Sequence, residues 1–196
     1  MNFYDFDFTL VNKNSTDEFL LFYIKSTKGF QKLRMLHRFY FIKFLRKIHL
    51  INEEKKRERL IKMLSGISDK KLRVFIKSFC IEILQDNIIY SVLNLLQKDK
   101  SPSVISFGLY EVIEEFLKCN GINANIYACK LLFKNGETEG QYVNDIYKLG
   151  KVKFLEQNNL DKINYYYTDD VISDKDIILK AKKSFLINNG QVSELN

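Results

Sequence analysis

Phe3-Tyr4-Asp5-Phe6-Asp7-Phe8-Thr9-Leu10 is the stretch on which the reading of the whole chain turns. The apolar run from Phe3 to Phe6 predicts a short opening strand, and two acidic residues close it. Burying two carboxylates there is costly unless a cation or hydrogen-bond donors meet them. In α/β proteins, however, the carboxyl ends of parallel strands are where ligands bind. Residues i and i+2 share one side of a strand, so Asp5 and Asp7 are expected to face one reaction centre. A second acidic cluster, Asp169, Asp170 and Asp174, follows a strand expected over 163–167. Carboxylates at the ends of two parallel strands make a hard-oxygen site suited to Mg2+.

Outward from this segment the pattern changes twice. Ser15, Thr16 and Asp17 are helix-starting residues, and from there to about Leu96 the chain reads as helix after helix. Breaks are expected near Gly29, near Asn52, over 65–69 and at Asp86-Asn87, with Ser68 and Asp69 capping one of the helices. Ser103 to Phe107, bounded by Pro102 and Gly108, predicts a buried strand. A helix over 109–117 follows, then a β excursion around Asn135-Gly136, a helix over 152–155, the strand over 163–167, a helix over 176–183 and a last strand over 184–187. Alternating strands and helices predict an α/β fold with a parallel sheet, interrupted after its first strand by an all-helical insert.

Composition narrows the functional classes. The 196 residues are 46% hydrophobic and 28% charged, with one proline and eight glycines, which excludes a disordered or collagenous chain. Three widely spaced cysteines (Cys80, Cys119, Cys129) and two histidines argue against a structural zinc site or a disulfide framework and fit a reducing compartment. No apolar run reaches the length of a membrane span, and the N-terminus lacks a secretory pattern, so a cytoplasmic protein is expected.

The net charge of +7 is uneven. Lys25 to Lys62 holds 13 Lys/Arg against 3 Glu, a net of +10, which leaves −3 for the remainder. Leu33, Met35, Leu36, Phe39, Tyr40, Phe41, Phe44 and Leu45 interleave with these charges at helical spacing. One reading is a helix with a buried stripe and a solvated basic face. The other is a surface that attracts an anionic substrate, nucleic acid or acidic lipid.

Asp5-Phe6-Asp7-Phe8-Thr9-Leu10 resembles the D-x-D-x-T-[LV] signature of haloacid dehalogenase-like hydrolases. Val104-Ile105-Ser106 is similar to the family's second motif, and Lys151 in Gly150-Lys151-Val152-Lys153 resembles the motif-three lysine. Thr168-Asp169-Asp170-Val171-Ile172-Ser173-Asp174 resembles the acidic fourth motif, and Phe185 to Gly190 the last strand and turn. The resemblance covers nearly the whole chain and is nearest to the phosphoserine-phosphatase-like branch. It implies a Rossmann-like parallel sheet with helices on both faces, formed by residues 1–12 and 88–196, and a helical cap over 13–87.

The resemblance further implies a Mg2+-dependent phosphatase acting on a small phosphomonoester. Asp5 would be the nucleophile and Asp7 the acid and base, while Ser106 and Lys151 hold the phosphate. Asp5, Asp7 and either Asp169 or Asp170 would hold the metal, with Asp174 in support. Thr168-Asp169 with Asp174 fits the longer spacing of the fourth motif and Asp170 with Asp174 the shorter. The glutamate that phosphoserine phosphatases use for the amino group has no clear counterpart; Asp17 and Glu18 lie nearby. Lys43, Arg46 and Lys47 of the basic segment are expected to funnel anionic substrate. Alternatives are a binding or membrane-surface protein that uses the basic cap, with nucleic acid the less favoured partner, and a phosphatase for a lipid or glycan phosphate.

Overall fold

The computed structural model describes residues 1–144 and 146–195. β1 (Asn2–Tyr4), β2 (Pro102–Leu109), β3 (Asn125–Lys134), β4 (Glu137–Asn144), β5 (Tyr165–Thr168), β6 (Lys183–Asn188) and β7 (Gln191–Leu195) form one sheet, ordered β4-β3-β2-β1-β5-β6-β7. The five central strands run parallel, as expected. The two edges do not: β4 and β7 pair antiparallel through the turns at Asn135-Gly136 and Asn189-Gly190. β7 was not expected at all, because its residues are largely exposed and carry no apolar run.

Parallel sheets are covered on both faces, and the side chains here divide accordingly. Phe3, Ile105 and Tyr166 join one apolar cluster with Leu155 of α8 (Lys151–Gln157) and Ile177 of α9 (Lys175–Lys180). Their chain neighbours Tyr4, Val104 and Tyr167 join a larger cluster on the opposite face. On that face Tyr4 stacks on Tyr167 at 4.5 Å and Tyr167 on Phe185 at 4.8 Å, following the pairing of β1, β5 and β6.

Between β1 and β2 lie α1 (Ser15–Ser26), α2 (Gly29–Lys47), α3 (Glu53–Ile61), α4 (Asp69–Phe79) and α5 (Tyr90–Lys98). The Asn14 side chain caps α1 by accepting the Asp17 N–H at 2.9 Å, one residue ahead of the expected start. The chain leaves and re-enters the sheet region at one place. Asn12 N–H donates to the Asn87 carbonyl at 2.7 Å, and Ile89 N–H to the Leu10 carbonyl at 2.9 Å. The helical segment is nonetheless continuous with the sheet's core. Phe19, Phe39, Leu72 and Phe79 share the larger cluster with Val104 and with Phe116 of α6 (Tyr110–Cys119). At β4 the approach is close enough to require glycine: a Cβ on Gly140 would lie 2.9 Å from the Lys62 Cα.

α2 departs most from expectation. Of its apolar residues only Phe39 and Ile42 are buried, while Phe30, Leu33, Tyr40, Phe41 and Phe44 are exposed. The basic residues expected to funnel substrate are partly engaged within the helical segment. Lys43 pairs with Asp17 at 2.9 Å and Arg46 with Glu53 at 3.1 Å. Asp17 is thereby tied to α2, and Lys56 adds a second cation 3.6 Å away.

Candidate active site

Asp5 extends the β1–β5 pairing by one residue, its N–H donating to the Tyr167 carbonyl at 2.9 Å. Its Oδ1 accepts the Phe6 N–H at 2.7 Å. The chain then turns tightly: the N–H groups of Thr9, Leu10 and Val11 all return to the Phe6 carbonyl, and Phe8 adopts a φ of +56°. Asp7 therefore lies in a turn beyond the strand, not on its pleat as the i, i+2 reading supposed. Its Oδ1 accepts the N–H of Ser15, the first residue of α1, at 2.9 Å. An acidic side chain at a helix N-terminus is favourably placed against the helix dipole.

Lys151, the first residue of α8, is the hub of the buried charges. Its ammonium lies 2.9 Å from Asp5 Oδ2 and 2.9 Å from both oxygens of Asp174. It also donates to the Tyr166 hydroxyl at 2.9 Å and sits over the Phe107 ring at 5.0 Å. Tyr166 and Thr168 point to the same side of β5, and each hydroxyl donates to Asp174 Oδ2 at 2.6 Å. Asp174 is thus a buried acceptor that fixes the lysine. Neither hydroxyl was singled out from sequence, although their alternation two residues apart just before the acidic cluster was a readable signal.

The electrostatics follow from burial. Desolvation pushes the Asp5 carboxyl up to about 7; Lys151 pulls it back and Asp174 adds to the rise. Desolvation likewise pushes Asp7 up to about 6, opposed by Ser15 and by the positive charge of Arg57. Asp169 is raised for the same first reason, with Asp170 and Asp174 contributing. Burial alone would depress Lys151, but Asp5 and Asp174 together outweigh it and hold the ammonium above its ordinary range.

The two candidates of the fourth motif behave differently. Asp169 is half-buried and faces Thr9, whose hydroxyl donates to it at 3.4 Å. Asp170 is exposed, and its Oδ1 accepts the N–H groups of Ile172 and Ser173 at 2.9 and 3.0 Å. The Ser173 hydroxyl first, and then these N–H groups, hold the Asp170 carboxyl below its usual range. Asp170 organises its own turn, whereas Asp169 stands over the Asp5–Asp7 loop.

Ser106 lies in the second half of β2 and is buried, its Oγ accepting the Gly108 N–H at 3.0 Å. A Cβ on Gly108 would come within 3.2 Å of Ser15 Oγ and 3.3 Å of Ser106 Oγ. Glycine at this position keeps those two hydroxyls next to open backbone. Beside Lys151, a cleft of about 280 Å³ runs between Phe107, Gly150, Ser173 and Asp176.

One further residue reaches the site from the helical segment. Arg57 of α3 donates to the Phe107 carbonyl at 2.5 Å and lies over the rings of Tyr147 and Tyr142 at 4.7 and 5.7 Å. In sequence it is one of 13 cations in the basic segment, and nothing local distinguishes it.

Among the described residues, no three carboxylate, imidazole or thiolate side chains already converge into a metal cage. The donor set still suits a hard cation. Asp5, Asp7 and Asp169 are all pushed up by burial, and the ammonium nearest Asp5 is shared with Asp174. An added cation would relieve that excess of negative charge, and oxygen donors of this type favour Mg2+.

Solved structures with the same fold include a protein of unknown function from Bordetella pertussis Tohama I, with a TM-score of 0.80 at 12% identity over 96% of this chain and 89% of that one. A phosphoserine phosphohydrolase-like protein from Francisella tularensis subsp. tularensis SCHU S4 aligns with a TM-score of 0.66 at 19% identity, over 97% and 88% of the two chains. Cytosolic 5'-nucleotidase IIIB bound to cytidine aligns with a TM-score of 0.58 at 14% identity, over 92% and 68%. No curated protein matches by sequence. The family model for haloacid dehalogenase-like hydrolases matches residues 3–176, which take in both acidic clusters, Ser106, Lys151 and the helical segment between them. With that span matched, the chain belongs to the haloacid dehalogenase-like hydrolases.

Proposed function

We propose that this hydrolase is a Mg2+-dependent phosphatase of a small phosphomonoester, working through an aspartyl-phosphate. The observation that carries the reading is the Asp5–Lys151–Asp174 arrangement at the carboxyl ends of adjacent parallel strands, with Asp7 and Asp169 beside it. The phosphohydrolase and nucleotidase likenesses of the fold are consistent with it.

Asp5 attacks phosphorus. An Asp5 O–P bond forms, the ester P–O bond breaks, and the leaving alkoxide takes a proton from Asp7. Water then attacks the acyl phosphate, Asp7 takes its proton, and the bond to Asp5 breaks. A carboxyl raised to about 6 suits Asp7 to carry that proton in both directions. Lys151 and the Ser106 hydroxyl hold phosphoryl oxygens, and Asp174 keeps the lysine aimed at Asp5. Asp5, the Asp7 carbonyl and Asp169 are the residues that would hold Mg2+, with Asp170 left to its turn. The bound ion supplies charge neutralisation between anionic nucleophile and anionic substrate. Arg57 sets another positive charge near Asp7.

The test is phosphate release from a panel of phosphomonoesters, with Mg2+ and with EDTA, for wild type and Asp5→Asn. Turnover that needs both the metal and Asp5 is expected. Turnover of undiminished rate in Asp5→Asn would overturn the nucleophile assignment and with it the reading.

A further inference from the structure

α2 has two apolar faces and a partner for one of them. Phe39 and Ile42 pack into the core. On the opposite side Phe30, Leu33, His37, Phe41, Phe44 and Ile48 follow one another at three- and four-residue steps, which places them in a single stripe along the helix. The stripe is open to solvent: Phe30 is 79% exposed, Leu33 64%, Phe41 50%, Phe44 54% and Ile48 44%. Leu50, just past the helix end, is 69% exposed. An exposed apolar patch of this extent marks an interaction surface.

The charges around the stripe select its occupant. α2 carries Lys32, Arg34, Arg38, Lys43, Arg46 and Lys47 and no carboxylate. Lys43 and Arg46 turn to Asp17 and Glu53 of the chain itself. Arg34 and Arg38 border the stripe and, with Gln31, Tyr23, Lys62 and Ser65, line a cleft of about 550 Å³. A second copy of this helix would set like charges face to face. A surface that is apolar beneath and anionic above satisfies both features at once, since basic side chains reach anionic headgroups while aromatic and aliphatic ones enter the acyl boundary.

We infer that α2 docks this protein onto anionic bilayers, with Phe30, Leu33, Phe41 and Phe44 in the acyl boundary and lipid headgroups at the Arg34–Arg38–Lys62 cleft. The contact is peripheral, since no helix among the described residues is long and apolar enough to cross a membrane. It rests on α2 and the cleft beside it and stands or falls independently of the phosphatase reading.

The chain has no tryptophan, so Phe41→Trp introduces a single reporter. Its emission should shift to the blue when phosphatidylcholine vesicles containing phosphatidylglycerol are added, and stay unchanged with phosphatidylcholine alone. Co-sedimentation of the full chain with the same anionic vesicles should weaken with salt. It should weaken roughly 30-fold in Arg34→Gln/Arg38→Gln, from two basic residues removed near an anionic surface. It should weaken at least tenfold in Phe41→Ser/Phe44→Ser. Both aromatic residues are exposed, so the fold is expected to survive, and circular dichroism verifies that. An unshifted emission, or vesicle binding that Phe41→Ser/Phe44→Ser leaves intact, would overturn the inference. So would a wild-type dimer that ignores vesicles and dissociates in that variant.

Discussion

Lys151→Met removes the ammonium at the centre of the site while keeping a side chain of similar length. The lysine side chain is 3% exposed and stands 2.9 Å from Asp5 and from Asp174, so the substitution leaves two buried carboxylates facing a thioether. Asp174 Oδ2 keeps the hydroxyls of Tyr166 and Thr168, but Asp5 retains only the Phe6 N–H. Removing one partner of a buried ion pair costs about 3–5 kcal/mol, because the remaining carboxylate must either stay charged without water or take up a proton it does not hold in the unfolded chain. In a domain of this size that corresponds to a fall in Tm of roughly 6–20 °C. The assay is urea unfolding in EDTA near neutral pH, followed by circular dichroism. Asp5→Asn in the Lys151→Met background then separates charge from packing: if stranded charge is the cause, the second substitution should restore about 1–2 kcal/mol. A loss below about 1 kcal/mol in the single variant, or a double variant no more stable than the single, would refute the reasoning.

Asp169→Asn should raise the Mg2+ concentration needed for half-maximal turnover by at least roughly tenfold, since even groups one layer behind a metal contribute that much. Asp170→Asn should leave that concentration unchanged, because an amide oxygen accepts the same two N–H bonds from Ile172 and Ser173; the reverse ranking would exchange their roles. A pH effect is expected at Glu111, which is buried with Oε1 accepting the Leu131 N–H at 3.0 Å and Oε2 without a hydrogen-bond partner among the described residues. Burial raises its carboxyl above the ordinary 4.5, so its contribution to stability is complete below that value and is lost as pH rises through the folded one. The difference in Tm between Glu111→Gln and wild type should therefore move in favour of the variant as pH rises from acid to neutral. A difference that does not change with pH would refute this.

What the sequence disclosed was decided by how local each signal is. The acid pair Asp5 and Asp7, the β2 serine and the acidic cluster after β5 were legible because each is a short polar departure at the end of an apolar strand. The run of helices was legible because helical periodicity replaces strand patterning between Leu10 and Pro102. The readings that went astray depend on neighbours supplied from elsewhere. Periodicity on α2 placed apolar residues on several sides of the helix, but it could not say that only the Phe39–Ile42 side would find a partner. β7 is an edge strand held by pairing to β6, with its side chains largely in solvent, so it needs no hydrophobic pattern. Arg57 acquires its significance from the Phe107 carbonyl 50 residues away.

The connection between insert and sheet bears on how the site could open. Val11 bridges both Asp7 and Ile88, so the outgoing and returning strands of the insert meet on the loop that carries the two acids. Any rotation of the insert about that junction would strain the Phe6 turn and move Asp7 against Ser15. The insert is also anchored along its returning stretch, where α4 and the turn after it pack on α6 and the Cys80 thiol donates to the Val112 carbonyl at 3.7 Å. Rigid swinging of α1 to α4 as one unit would break a shared core, at several kcal/mol for each large side chain exposed. α3 is fixed at its C-terminal end, where Leu60 and Ile61 are buried in the core, and less firmly on its outer face. Glu58 and Lys148 join it to α7 (Ile146–Leu149) through an exposed ion pair, and Arg57 spans the mouth of the site to β2. Exposed ion pairs contribute little, about 0–1 kcal/mol, so the outer face of α3, ahead of its buried Leu60 and Ile61, is the part of the covering held most weakly. Substrate access past that face would displace Arg57 from Phe107, and its charge would then be available to an anionic group entering beside Asp7.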